Sequence, residues 1–143
     1  MNNFDKCFNK LIDVEGGYAN DPHDAGGETY LGISRKNNPD WVGWITIDNL
    51  KKQYPSKSIK GIIKYLKNDD ISKLKDQAKL LYKTKYWDVM SLDDIKNITI
   101  CNHLFDTAVN MGVKTAINLA QQCCGMSITG KFSDELLYNL KKL

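Results

Sequence analysis

The sequence predicts a mainly α-helical protein with a small β-hairpin or turn region directly after its first helix. Apolar residues recur at the three- and four-residue spacing of a single helix face through most of the 143 residues. Between residues 18 and 32, glycine, proline and short polar side chains are interspersed with isolated aromatic and aliphatic residues. The chain holds no repeat, low-complexity tract or long linker. We therefore expect residues 1–143 to form a single domain.

The first predicted helix runs from Asn3 to Glu15 and keeps its apolar residues on one face. Gly16 and Gly17 follow it and end it, because glycine readily takes the left-handed backbone conformation of a helix C-terminus. From Tyr18 to Gly32 the pattern favours turns with one short hairpin.

The chain beyond residue 34 is predicted to be helical almost throughout. Thr46 is expected to cap a helix over Ile47 to Gln53, which Pro55 closes. Ser91, with Asp94 three positions later, is expected to cap a helix that starts just before Ile95. An apolar stripe predicts a helix over 59–66, and a longer helix is predicted over 71–87. Two further helices, over 98–111 and 113–124, are separated by Gly112, and Gly125 ends the second of them. Ser133 is expected to cap a last short helix.

Composition excludes several classes of function. The net charge is +3, with the lysines spread along the chain and Arg35 as the sole arginine. We therefore expect no nucleic-acid partner, although a modest positive charge suits an anionic wall polymer. No apolar run reaches the ~18 residues that a transmembrane helix needs, so stable membrane insertion is not expected.

The four cysteines, Cys7, Cys101, Cys123 and Cys124, match no metal-binding spacing. They are interpreted as mostly buried free thiols, which suggests folding in a reducing compartment. The N-terminus lacks a basic region followed by an apolar run, so no Sec signal peptide is expected. These features predict a protein made in the cytoplasm, which would need release or delivery by another route if its substrate lies outside the membrane.

Residues 15–29 hold the densest set of functional groups in the chain. Hydrolysis of a glycosidic bond needs a protonated acid and a second carboxylate. Glu15 suits the acid because apolar neighbours raise the pKa of a carboxyl group. Asp24 is placed to face it from the glycine-rich loop, and the Thr29 hydroxyl is placed to hold a water molecule beside Asp24. Glu28 is the less favoured second carboxylate.

Asp21, His23 and Asp24 are an alternative set of residues that could form a cation site. Their spacing matches no regular set of metal ligands. We expect no metal and no cofactor.

The run from residue 15 to residue 29 resembles the signature of glycoside hydrolase family 108, the bacterial and phage N-acetylmuramidases. Two later segments, 81–87 and 105–112, resemble that family's Tyr…Tyr-Trp and Phe-Asp-x-Ala-Val-Asn-x-Gly helices. The residues that fill the signature are Glu15, Gly16, Gly17, Tyr18, Asn20, Asp21, Pro22, Asp24, Gly26, Gly27 and Thr29.

The resemblance implies a lysozyme-like fold and an endolysin-type enzyme. It implies cleavage of the β-1,4 bond between N-acetylmuramic acid and N-acetylglucosamine in peptidoglycan, with Glu15, Asp24 and Thr29 as the catalytic set. Substrate-binding roles are predicted for Tyr18, Asn20, Tyr30 and Asn110. The partner is then the peptidoglycan strand, and we expect a monomer. The resemblance also implies action on the cell wall or periplasm after release or delivery, in phage lysis or as a secreted effector.

Two features depart from the family. Residues 125–143 are interpreted as a shortened remnant of a peptidoglycan-binding region, and residues 34–70 match the family poorly. The first alternative is therefore a catalytically inactive lysozyme-like domain that binds a glycan or a protein. A lytic transglycosylase or a hydrolase of chitin-like polymers is the other.

Overall fold

The first helix, α1, spans Asn3–Glu15 and ends at the predicted residue. The computed structural model describes residues 1–15, 17–23, 25–65 and 69–143, and the side chains of Val14 and Glu15 lie outside the described part. Within those residues the chain forms seven α-helices and one three-stranded antiparallel sheet. The mainly α class with a small β region after helix one is thereby confirmed.

The elements follow each other closely along the chain. After α1 come β1 (Tyr18–Asn20), β2 (Glu28–Tyr30), β3 (Ile33–Ser34), α2 (Gly43–Gln53), α3 (Ile59–Tyr65) and α4 (Asp69–Tyr82). A π-helical turn (Lys83–Trp87) and two 3-10 turns (Asp88–Met90, Leu92–Asp94) lead to α5 (Ile98–Met111), α6 (Val113–Cys123) and α7 (Asp134–Lys141).

The sheet is a meander in the order β1-β2-β3. Tyr30 pairs with Ile33, so only Leu31 and Gly32 connect β2 to β3. Their φ angles of 48° and 83° are those of a type I′ turn, whose twist matches that of the strands. The left-handed conformation costs a leucine about 1 kcal/mol. Burial offsets this cost, because the Leu31 side chain is only 9% exposed.

The described residues divide into two compact units, one formed by Met1–Leu11 with Tyr82–Leu143 and the other by Ile12–Leu81. An aromatic cluster forms the core of the first unit. The Phe4 ring lies edge-on to both Trp87, at 5.2 Å, and Phe105, at 5.9 Å, and Phe8 packs against Tyr82 at 5.8 Å. All five side chains are at most 1% exposed, so Tyr82 and Trp87 lie in the core.

The unit of residues 12–81 has its own aromatic core beside the sheet. Tyr30 stacks on Trp41 at 5.9 Å, and Trp44 meets Trp41 edge-on at 5.2 Å. Gly43 makes this arrangement possible, because a Cβ atom there would lie 2.2 Å from the Trp41 ring. The aromatic packing therefore fixes how α2 begins, close to the sheet.

Two predicted helix caps are wrong. Thr46 lies inside α2, which begins three residues earlier at Gly43. Ser91 makes no capping hydrogen bond and has a φ of 49°, because it joins the two 3-10 turns. The cap of the following helix is Asn97, whose side chain accepts hydrogen bonds from the N–H groups of Thr99 and Ile100 at 3.0 and 3.3 Å.

The helix ends near the C-terminus agree with the sequence. Ser133 caps α7 by accepting a hydrogen bond from the Leu136 N–H group at 3.1 Å. Gly125, with a φ of 67°, ends α6 as expected. Its N–H group bonds to the Gln122 carbonyl and that of Met126 to the Gln121 carbonyl, which is the Schellman arrangement.

The cysteines are free thiols, and Cys7 and Cys101 are buried as predicted. Burial raises the pKa of the Cys101 thiol to about 11, so it stays protonated. Cys124 is half-buried and Cys123 is exposed, because Cys123 points away from the apolar face of α6. None of the helices in the described ranges has the length and apolar character needed to span a membrane.

Candidate active site

The motif segment starts where α1 ends. Glu15 is the last residue of the helix, and β1 begins only three positions later at Tyr18. The Gly17 carbonyl accepts a hydrogen bond of 3.1 Å from the Leu31 N–H group, which ties this connection to the far turn of the meander. The Glu15 side chain and the whole of Asp24 lie outside the described residues, so the catalytic pair stays a prediction.

Thr29, the third predicted catalytic residue, lies at the centre of the sheet. It is the middle residue of β2, opposite Ala19 of β1 and Ser34 of β3. Because side chains alternate along a strand, the Thr29 hydroxyl points to the face opposite Glu28 and Tyr30. Thr29 is half-buried in this central strand.

Among the described motif residues, Glu28 has the side chain with the most hydrogen bonds. Its carboxylate accepts hydrogen bonds from the Tyr18 hydroxyl at 2.5 Å, Lys51 Nζ at 2.7 Å and Arg35 Nη1 at 3.0 Å. Burial alone would raise the pKa of Glu28, whose side chain is 10% exposed, but the bonds from Lys51, Tyr18 and Arg35 outweigh it and lower that pKa. Glu28 therefore favours its charged form and is unsuited to donate a proton near neutral pH.

Arg35 extends this network from the sheet to α2. Its guanidinium group binds both carboxylate oxygens of Asp48, at 2.8 and 2.7 Å, and lies 5.3 Å above the Trp44 ring. Arg35 lowers the pKa of Asp48 through these hydrogen bonds. Because α2 and β2 hold the same cation, the strand that carries Thr29 is fixed against the helix.

Sequence reasoning missed the second half of this network. The sequence predicts Glu28 only as a less favoured second carboxylate and predicts no role for Arg35, Asp48 or Lys51. Two signals in the chain point to them. Arg35 is the only arginine, and Asp48 and Lys51 are three positions apart on one helix face, where their side chains approach to 3.8 Å.

The three predicted substrate-binding residues of the hairpin differ in their exposure to solvent. Tyr30 is 4% exposed and stacked in the core, and burial raises its pKa to about 12. Tyr18 is 8% exposed, with burial and the Glu28 bond both raising its pKa, so its hydroxyl remains a donor. Asn20, at the end of β1, is exposed. Of these three, Asn20 offers a sugar the most surface.

Asn110 lies apart from the hairpin residues in sequence, on the last turn of α5. Its amide nitrogen donates to both the carbonyl and the side-chain oxygen of Asp106, at 2.9 and 3.1 Å. The side chain is exposed. Its role in substrate binding stays a prediction.

Asp21 stabilises the turn between β1 and β2. Its carboxylate accepts a hydrogen bond of 2.9 Å from the His23 N–H group, the geometry of an Asx turn. His23 itself is exposed. Across the described ranges, no group of three His, Cys, Asp or Glu side chains is arranged to hold a metal ion.

A mainly α scaffold, with a glutamate at the end of its first helix and a short β-meander directly after it, places the protein in the lysozyme-like class. The family profile described as Glycosyl hydrolase 108 matches residues 8–112. The chain belongs to this family. Membership supports a glycoside hydrolase that acts on peptidoglycan.

Comparison with solved structures supports the fold. The structure of Brucella abortus SagA is similar, with a TM-score of 0.62 and 24% sequence identity. The alignment covers 98% of this chain and 69% of that chain. No match was found among the curated proteins.

Proposed function

We propose that the protein is an N-acetylmuramidase, which hydrolyses the β-1,4 bond between N-acetylmuramic acid and N-acetylglucosamine in peptidoglycan. Glu15 protonates the glycosidic oxygen as it leaves. Asp24, helped by the Thr29 hydroxyl, positions a water molecule or stabilises the sugar cation.

The observation that carries this proposal is the state of the other motif carboxylates. Glu28 accepts three hydrogen bonds, two of them from cations, and Asp21 accepts one within its own turn. The bonds to Glu28 lower its pKa and favour its charged form, and Asp21 stabilises its own turn. Glu15, which follows apolar residues at the end of a helix, remains the carboxyl group best suited to carry a proton.

The rigid placement of Thr29 in the sheet also supports the proposal. Ladder hydrogen bonds on both sides hold β2 between β1 and β3, and the Glu28–Arg35–Asp48 network joins the sheet to α2. Catalytic groups need such rigid placement, because small displacements reduce the rate severely.

The proposed substrate lies outside the cytoplasmic membrane. We therefore propose that the protein acts on the wall after release or delivery from the cell that makes it. Peptidoglycan strands are its partner in this role.

The test is a digest of purified sacculi with the parent and with Glu15→Gln, which keeps the side-chain shape and removes the acid. Asp13→Asn is the matched control, since Asp13 is an exposed carboxylate two positions earlier on α1. We expect the parent and the control to release reducing ends and Glu15→Gln to lose at least about a hundredfold in rate. Equal rates for parent and Glu15→Gln would refute the assignment.

Mass spectrometry of borohydride-reduced products identifies the bond. Reduced N-acetylmuramic acid ends are expected. Anhydro-muramic ends would instead indicate a lytic transglycosylase. Binding to sacculi without any released ends would indicate an inactive, glycan-binding domain.

A further inference from the structure

A surface cavity of about 410 Å³ lies between the end of α2 and α3, within the unit of residues 12–81. α3 also packs against β1, whose residues belong to the motif. The cavity is lined by Tyr54, Lys57, Ser58, Gly61, Ile62 and Tyr65.

Two tyrosines give this cavity an amphipathic wall. Tyr65 is 76% exposed, and Tyr54 is half-buried at the end of α2. Lys57 Nζ lies 5.6 Å from the centre of the Tyr54 ring, and Lys64 Nζ lies 5.3 Å from that of Tyr65. Each aromatic ring is therefore accompanied by an ammonium group.

The charge around the cavity is one-sided. The sequence between Asp48 and Asp69 contains six lysines, at positions 51, 52, 57, 60, 64 and 67, and no aspartate or glutamate. Within the described residues, Lys51 pairs with Glu28, whereas Lys57, Lys60 and Lys64 form no ion pair. The side chains that border the cavity thus present positive charge to solvent.

We propose that this cavity binds a carboxylated amino-sugar unit of the wall glycan, at a second site that none of the described motif residues lines. The apolar face of a pyranose ring suits a tyrosine edge or face, and the muramic or stem-peptide carboxylate suits the neighbouring ammonium groups. The choice of a wall glycan rests on the proposed function. A second contact on the same polymer raises the local concentration of substrate at the cleavage site.

The test measures binding to purified sacculi by co-sedimentation, in a Glu15→Gln background that preserves the polymer. Tyr65→Ala and the pair Lys57→Gln/Lys64→Gln are each expected to weaken binding about three- to tenfold. The matched controls lie on α4: Leu80→Ala, at an apolar side chain that is 62% exposed, and a double lysine change at two exposed positions, Lys73→Gln/Lys75→Gln. Both controls are expected to bind as the background does.

Chemical modification of the sacculi tests whether the cavity recognises their carboxyl groups. Converting the carboxyl groups of the sacculi to amides is expected to weaken binding of the Glu15→Gln background by about the same three- to tenfold. On these amidated sacculi, the lysine pair and its background are expected to bind equally. Heparin serves as an anion without muramic acid. If the lysine pair weakens binding to heparin and leaves binding to sacculi unchanged, the cavity is a general polyanion surface and the proposal is overturned.

Hydrolysis separates this proposal from the proposed function. On a short soluble muropeptide, Tyr65→Ala in the active background is expected to cleave within twofold of the parent. If sacculi bind the cavity variants and the parent equally while hydrolysis is intact, only the cavity proposal fails. If the parent releases no ends, the proposed function fails whatever the binding shows.

Discussion

The Tyr18 hydroxyl donates a 2.5 Å hydrogen bond to Glu28 diagonally across the β1–β2 pair. The same carboxylate binds Arg35 and Lys51, so three donors from three elements or their flanks converge on one side chain. A carboxylate bound in this way is held ionised and immobile. The glutamate next to Thr29 therefore fixes the hairpin and leaves the proton-donating role to another group.

Removing the Tyr18 hydroxyl measures how much its hydrogen bond to Glu28 contributes to the free energy of unfolding. Tyr18→Phe leaves Glu28 with one donor fewer, and we expect a loss of about 1 to 2 kcal/mol in the free energy of unfolding. Tyr30→Phe is the matched control, because within the described residues the Tyr30 hydroxyl has no hydrogen-bond partner. It should change stability by less than about 0.5 kcal/mol. Urea unfolding with unchanged m-values makes the comparison, and equal losses would contradict this account.

The Glu28 network also sets how stability depends on pH. The folded pKa of Glu28 is lowered from its ordinary value of 4.5, so its contribution is complete above that value and is lost as pH falls through the folded pKa. Glu28→Gln should cost about 2 kcal/mol near neutral pH. The gap between parent and variant should be constant from about pH 6 to 8 and shrink below about pH 4.5. A gap that grew on acidification would contradict the assignment.

Helix capping near residue 97 can be tested with a matched pair. Asn97→Ala removes the acceptor for two N–H groups of α5 and should destabilise the protein by about 1 kcal/mol. Ser91→Gly removes a serine that makes no cap and has a left-handed φ, so it should be neutral or stabilising. Thermal unfolding of both variants decides between this arrangement and a Ser91 cap.

The motif glycines differ in what they require of the backbone, and Gly27 is a test case. It has a φ of 65° in front of β2, and a Cβ atom there would meet nothing within 4 Å. Gly27→Ala should therefore destabilise the protein by about 1 kcal/mol through backbone strain alone. Gly27→Asn should cost less, because asparagine tolerates the left-handed region. Equal costs for the two variants would indicate a cause other than φ.

Local patterns were sufficient for the features of the fold that depend on local interactions. Apolar periodicity gave the first helix its exact bounds, and glycine chemistry gave the end of α6. The start of α2 was missed, because the packing of Trp41 over Gly43 decides it and that contact involves the tertiary fold. Ser91 was misread because serine suits a cap in any chain, whereas the 3-10 turns set its backbone here.

Some residues of the candidate site could likewise be predicted from local patterns, whereas others are brought together only by the fold. Thr29 and the hairpin could be placed from the motif, since turn residues and strand alternation are local signals. The partnership of Glu28 with Arg35 and Asp48 joins residues up to 20 positions apart across β2 and α2, and no local pattern encodes such pairs. The lone arginine was visible as a composition anomaly, yet its partners became evident only from the fold.

Thr29 offers the sharpest test of the site among the described residues. Thr29→Val keeps the β-branched shape that suits the middle of β2 and removes only the hydroxyl. If that hydroxyl helps to hold the attacking water, Thr29→Val should lower the rate of sacculus hydrolysis about a hundredfold, and Thr29→Ser should stay within a few-fold of the parent. Thr46→Val, at a half-buried threonine inside α2, controls for loss of a hydroxyl elsewhere in the same unit.

Stability and rate must be read together for these variants. Valine in place of Thr29 should leave the urea midpoint nearly unchanged, because the side chain is half-buried on the face opposite Glu28 and the strand pairing is retained. A loss of activity without a loss of stability then assigns the hydroxyl to the reaction. Hydrolysis by Thr29→Val at the parent rate would remove Thr29 from the catalytic set and leave Glu15 and Asp24 to be tested alone.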